Sequence, residues 1–169
     1  MKKVAVAGTW RTLNQQMEED VKKEVKYIIE SGNSIVTGGA LGVDYIATEE
    51  TLSVNSDASK IKIFLPATLE IYARHYLKRA EEGVITREQA QLLISQLTKI
   101  RNLNINSIVE NLTNEVVDHT TYRERINDII NDSDELIAFQ ANESNGTQYT
   151  IDKANQKGIP VKVYKYSIN

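Results

Sequence analysis

The chain reads as an α/β protein: a Rossmann-like, doubly wound parallel sheet of about five strands, order 3-2-1-4-5, with a helical insertion after the third strand. Three observations predict this. Short apolar runs free of charge alternate with stretches of helical periodicity, the pattern of strands buried on both faces of a parallel sheet. The early runs end at Gly8, at the Gly38-Gly39 pair and at Pro66, the punctuation of strand–helix turns. Right-handed crossovers then lay the first three strands side by side in reverse. A fourth strand, after the insertion, returns to the far side of the first.

In order along the chain, Val4-Ala5-Val6-Ala7 is the first strand. Thr12 and Gln15 have the spacing of a capping box. Met17, Val21, Val25, Ile28 and Ile29 then recur at helical intervals as far as Gly32, a helix C-terminal glycine. Ile35-Val36-Thr37 is the second strand, and Val43, Ile46, Ala47 and Val54 mark the inner face of the second helix. Ile61-Lys62-Ile63-Phe64-Leu65 is the third strand.

Between about Ala67 and Thr120 the sequence predicts helices and no buried strand. Leu69, Tyr72, Tyr76 and Ala80 define one helix. Thr86 and Gln89 form a capping box for another, with Ala90, Leu93, Leu97 and Ile100 along one face. These apolar stripes are expected to serve extra packing, a cover over a site, or self-association into a homo-oligomer. A helix from Tyr122 to Asn131 resumes the alternation. Leu136-Ile137-Ala138-Phe139 is the fourth strand, a helix ends at Gly158, and Val161-Lys162-Val163-Tyr164 is the fifth.

With 169 residues, 41% hydrophobic and 25% charged, the composition is that of one soluble globular domain spanning residues 1–169. A net charge of −3 predicts no constitutive basic face, which weighs against tight sequence-independent DNA binding. The chain has no cysteine, so disulfides, thiolate metal sites and a cysteine nucleophile are excluded. His75 and His119 are too few and too far apart for a zinc site, and no metal or cofactor is expected. The N-terminus lacks a signal-peptide pattern, and no segment approaches the ~20 apolar residues of a membrane span. A cytoplasmic protein without a membrane partner is expected.

Three loops should meet at the carboxyl edge of the sheet, where ligands bind in open α/β folds. They are Gly8-Thr9-Trp10-Arg11, Gly38-Gly39-Ala40-Leu41-Gly42-Val43-Asp44 and Asn142-Glu143-Ser144-Asn145-Gly146-Thr147. Gly38, Gly39, Gly42 and Gly146 would admit a phosphate or sugar to backbone amides at helix starts. Thr9, Thr37, Ser144 and Thr147 supply hydroxyls, and Arg11 offers an anion fork. Trp10 is either a stacking plate for a base or a core side chain. Asp44 either holds a sugar hydroxyl or caps its helix. Of Arg123 and Arg125, one is expected to reach the crevice and the other to be solvated.

Taken together these stretches resemble the SLOG superfamily of Rossmann-like proteins, which includes the DNA-processing protein A (DprA/Smf) and LOG (lysine-decarboxylase-like) families. The resemblance rests on Val4 to Thr9, on Thr37 to Asp44, and on Arg125 to Val163, which holds Ser133-Asp134, Gly146-Thr147 and Gly158-Ile159-Pro160. It implies a nucleotide-related ligand: a free nucleotide, a nucleotide sugar or single-stranded DNA. The DNA-processing branch carries Gly-Ser/Thr-Arg after the first strand, whereas Trp10 separates Thr9 from Arg11 here. Its arginine–asparagine element is met loosely by Arg125 and Asn127. The phosphoribohydrolase branch carries a glutamate where this chain has Thr150, and a threonine cannot stabilise an oxocarbenium-like centre. The leading expectation is a binding protein, a sensor or DNA-processing accessory. The alternatives are an enzyme that cleaves or transfers the N-glycosidic bond of a nucleotide, with Glu143 as its carboxylate, and a purely structural oligomerisation domain.

Overall fold

The structure, a computed structural model, describes residues 1–169. One six-stranded sheet, parallel throughout, contains β1 (Lys3–Gly8), β2 (Ser34–Thr37), β3 (Ile61–Phe64), β4 (Ile108–Val109), β5 (Glu135–Ala141) and β6 (Val161–Tyr166). Their order is β4-β3-β2-β1-β5-β6. Around the sheet lie α1 (Gln15–Glu30), α2 (Val43–Val54), α3 (Leu69–Glu81), α4 (Arg87–Leu103), α5 (His119–Asn131) and α6 (Asn145–Lys157). The expected fold class is the one observed. The predicted fourth and fifth strands are β5 and β6, and their positions relative to the first three are as the crossover rule requires.

One strand was not expected. β4 lies inside the segment read as purely helical and extends the sheet beyond β3, pairing Ile63 with Ile108 and Phe64 with Val109. It is secured by the Leu65 amide, which donates to the Val109 carbonyl at 2.9 Å. A two-residue strand between Ser107 and Glu110 has no periodicity of its own to read.

The helices start where side chains satisfy their first amides. Asn14, not Thr12, caps α1: its Oδ1 accepts the Met17 amide at 2.8 Å. Thr12 instead donates its amide to Thr9 Oγ1 at 3.4 Å. The capping box at Thr86 and Gln89 is present and opens α4. On α2 the inner face differs from the expected one: Val54 is exposed, while Asp44, Thr48 and Thr51 are buried beside Val43, Ala47 and Leu52. The two threonines can be buried because each hydroxyl donates to a carbonyl one turn back, at 2.8 Å in both cases.

The apolar stripes of α3 and α4 face inward. Tyr72, Tyr76, Leu93, Leu97 and Ile100 belong to the same core as Met17, Val21 and Val25 of α1 and Val4 and Val6 of β1. Those stripes are therefore consumed by internal packing, while Leu92 and Leu103 of α4 and Ile105, Leu112 and Val116 beyond it remain exposed. No helix is long and apolar enough to cross a membrane.

Candidate functional site

The loops that leave β1, β2 and β5 rise from three neighbouring parallel strands, so all three emerge at one edge. The first two are locked together. Val43 donates its amide to the Thr9 carbonyl at 3.0 Å, and Thr9 donates its own to the Phe139 carbonyl of β5 at 3.3 Å. Gly42, with φ +73°, lets α2 start directly against the first loop: a Cβ there would lie 2.3 Å from the Thr9 carbonyl oxygen and 2.6 Å from Trp10 Cα.

This changes the reason for the glycines. At Gly39, φ +65°, a Cβ would meet Ile63 Cγ2 at 2.8 Å and Leu65 Cδ2 at 3.0 Å, and at Gly38 it would meet Arg125 Nε at 2.9 Å. Protein atoms, not a space left for a ligand, exclude side chains at 38, 39 and 42. Gly146 is different: nothing lies within 4 Å of the position its Cβ would take. The fold places no demand on glycine there.

Behind the second loop is a polar cluster that sequence reasoning did not assemble. Arg125 Nη1 donates to the Gly38 carbonyl at 2.8 Å and to Tyr72 Oη at 3.1 Å. Tyr72 Oη in turn donates to the Gly39 carbonyl at 3.1 Å. The Arg125 guanidinium carbon sits 4.8 Å from the centre of the Tyr122 ring, and Tyr122 Oη is 3.1 Å from His75 Nε2. Of the two arginines on α5, Arg125 is thus the one that meets the glycine loop. Arg123 is exposed and lies over Tyr149 at 5.0 Å. Tyr72 and Tyr76 were legible only as apolar stripe residues, and Tyr122 only as the start of a helix. Their sequence signal is that a buried tyrosine hydroxyl needs a partner.

Asp44 neither caps α2 nor lies open to solvent. It is 7% exposed, and its Oδ2 reaches back to accept the Ala40 amide at 3.2 Å. Burial pushes its carboxyl above the ordinary aspartate range, against the pull of the Arg125 guanidinium and the Ala40 amide. Asp44 and Arg125 both crowd Gly38, since the same Cβ position at 38 lies 3.1 Å from Asp44 Oδ2. The Thr37 hydroxyl is fully buried and donates to the Val6 carbonyl at 3.1 Å, so it cannot meet a ligand. Thr9 is nearly buried and its hydroxyl oxygen already accepts the Thr12 amide.

The remaining residues lie at the surface. Arg11 is exposed, and Trp10 is 38% exposed with the Arg11 guanidinium carbon 5.3 Å from its ring centre. The core alternative for Trp10 is thereby removed. The third loop is a tight turn: Ser144 donates its amide to the Ala141 carbonyl at 3.1 Å, with Asn142 and Glu143 at φ +50° and +52°. Ser144 precedes α6 but makes no side-chain cap. Its hydroxyl donates instead to Thr147 Oγ1 at 2.9 Å. The first amides of α6, at Asn145 and Gly146, are therefore left without a side-chain acceptor at an exposed helix start. A cavity of about 340 Å³ lies one strand further along the edge, at the tips of β5 and β6, lined by Gln140, Asn142, Glu143, Lys165, Tyr166 and Ser167. Of the three loops only the third contributes to it.

The fold has solved counterparts. DNA processing protein A from Helicobacter pylori, described for its single-stranded DNA binding mode, superposes with a TM-score of 0.70 at 22% identity, over 96% of this chain and 64% of that one. DNA processing protein A from Streptococcus pneumoniae gives 0.64 at 18% identity, over 96% and 50%. The molybdenum cofactor carrier protein from Chlamydomonas reinhardtii gives 0.55 at 16% identity, over 96% and 76%. The chain thus spans between half and two thirds of the length of the two DNA-processing structures. No curated protein matches the sequence. The family model of DNA recombination-mediator protein A matches residues 1–169. The expected kinship within the SLOG superfamily accordingly resolves to its DNA-processing branch, and the chain belongs to the DNA recombination-mediator protein A family.

Proposed function

We propose that this chain, acting as a single Rossmann-like domain over residues 1–169, binds a phosphate-bearing nucleotide ligand at the carboxyl edge of its sheet, and that single-stranded DNA is that ligand. The observation that carries the reading is the exposed start of α6. It has no side-chain cap, it has open space at Gly146, and it leaves a strand that neighbours the one presenting Arg11. Free amides at the positive end of a helix dipole favour a phosphate, and a guanidinium adds a bidentate, charge-assisted contact. Ser144, Asn145 and Thr147 frame the amides, while Gly8, Thr9, Gly38, Gly39, Gly42, Asp44 and Arg125 hold the first two loops in place. The Helicobacter pylori relative, whose description names single-stranded DNA binding, supports the choice of polymer.

The glycosidic-cleavage alternative has less to rest on. The Thr150 hydroxyl donates to the Gly146 carbonyl at 3.1 Å, and Glu143 lies at the tip of the third loop, lining the cavity toward β6. Neither supplies a carboxylate between the first and third loops.

The test is fluorescence anisotropy of a labelled single-stranded oligonucleotide across a salt series. Arg11 is exposed and its one specific contact is with Trp10, so Arg11→Ala leaves the fold intact. It should weaken binding about tenfold, the scale of one charge-assisted contact, and lower the salt slope by about one. Unchanged affinity and slope would remove Arg11 and with it the anion-site reading.

A further inference from the structure

Trp10 is the sole tryptophan of the chain, and its position departs from the Gly-Ser/Thr-Arg pattern of the DNA-processing branch by inserting a large aromatic ring ahead of the arginine. The ring stands in a loop of small and polar residues, next to an exposed arginine at the carboxyl edge of the sheet. Trp10 is 38% exposed even with the Arg11 guanidinium counted against its ring. Its backbone is anchored: the preceding residue is bonded to both β5 and α2, and its own Cα fills the space left by Gly42. The partly exposed ring is thus carried on an anchored loop, beside the exposed Arg11.

We propose that Trp10 is a base-stacking plate, which takes the face of one unpaired base while Arg11 holds an adjoining phosphate. This rests on the anion-site reading above and deepens it, because it specifies the ligand as a strand with an unstacked base. A duplex keeps its base faces covered by their neighbours, and a bare phosphate has none to offer. Stacking on an aromatic face is tolerant of base identity, so the plate discriminates single strand from duplex without reading sequence. A cation beside the ring suits this pairing, since guanidinium and indole attract each other and both can be shared with a nucleotide.

The sole tryptophan is also the reporter. Excited at the red edge, where the tyrosines do not absorb, the wild-type protein reports on Trp10 alone. It would be titrated with oligothymidylate, with an abasic oligomer of the same length, and with the corresponding duplex, while anisotropy of labelled strands measures affinity independently. Oligothymidylate should bind and quench the emission. The abasic oligomer should bind more weakly by roughly 5- to 150-fold, the range of one stacked base, and leave the emission unchanged. The duplex should behave like the abasic strand. Trp10→Ala should lose the same factor for oligothymidylate and nothing for the abasic oligomer, and Trp10→Phe should recover most of the loss. Binding of oligothymidylate without quenching, or with full affinity in Trp10→Ala, would overturn the stacking role and leave the phosphate site standing. Failure of the wild-type protein to bind any of the three would overturn the phosphate reading and the stacking role together.

Discussion

Replacing glycine by alanine at 42 and at 146 should move stability in opposite directions. At 42 the new Cβ would lie 2.3 Å and 2.6 Å from the Thr9 carbonyl oxygen and Trp10 Cα, backbone atoms that cannot swing aside. The dihedrals there, φ +73° and ψ −128°, lie outside every region open to an L residue. Strain of this kind costs on the order of 1–3 kcal/mol. Relieving the overlap by moving the first loop off α2 would break the Val43–Thr9 hydrogen bond of 3.0 Å, a further loss of about 1 kcal/mol. The expected loss is about 2–4 kcal/mol against a total stability of about 5–15. With a urea slope of about 2 kcal/mol per molar, the unfolding midpoint should fall by roughly 1–2 M. At 146 the Cβ meets nothing and φ is not positive, so alanine in the first turn of α6 should raise stability by up to about 1 kcal/mol. Binding of an oligonucleotide should nevertheless weaken in Gly146→Ala, because a methyl group then stands over the open amides. A midpoint shift below about 0.3 M for Gly42→Ala, or a destabilised Gly146→Ala, would refute the distinction between a glycine demanded by packing and one left for a ligand.

Tyr72→Phe removes a buried hydroxyl that serves Gly39, Arg125 and Tyr76 at once. It should cost about 1–3 kcal/mol in urea unfolding, and a loss under half of that would show the cluster to be dispensable. Glu143→Gly should stabilise by up to about 1 kcal/mol in the same assay, because Glu143 holds a left-handed φ of +52° that costs a side chain roughly that much. Its neighbour Asn142 tolerates the conformation better and its side chain bonds the Ile168 carbonyl and amide at 2.7 and 2.8 Å, so Asn142→Gly should lose stability instead. Burial raises the Asp132 carboxyl, but hydrogen bonds from Lys3 and Lys62 prevail and hold it below the ordinary aspartate value of 3.8. The stability it confers is then fully present above about pH 4 and is lost as pH falls through the lowered value. Asp132→Asn should flatten the acid limb of stability against pH, and an unchanged limb would place the acid sensitivity elsewhere.

What the sequence could and could not reveal divides along a physical line. Continuous apolar runs and helical stripes report burial directly, which is why β1, β2, β3, β5, β6 and the faces of α1, α3 and α4 were legible. Crossover handedness then ordered five of the strands without any knowledge of contacts. β4 escaped because two residues carry no period, and Asn14 escaped as the α1 cap because Thr12 and Gln15 imitate the same motif. At the site, residue type named Gly38, Asp44 and Arg125 but not what each touches. A glycine emptied by Arg125 looks in sequence like a glycine emptied for a phosphate. The hydroxyls of Tyr72 and Tyr76 were hidden within an apolar stripe, because helical periodicity registers the ring and ignores its polar tip.

The central place of β1 has a consequence for how the protein is made. Its register pairs Val4 with Glu135, and those residues leave the ribosome far apart in time. At about 5–20 residues per second the delay is on the order of ten seconds. Throughout that interval β1 can pair with β2 but not with β5. The strand that ends up at the middle of the sheet, with Val4, Ala5 and Val6 at 0%, 0% and 1% exposure, spends its early life as an apolar edge. Such an edge is a template for pairing with any other extended chain. Nascent chains released before residue 135 should therefore be captured by chaperones or aggregate, and refolding of residues 1–169 should lose yield as the concentration rises.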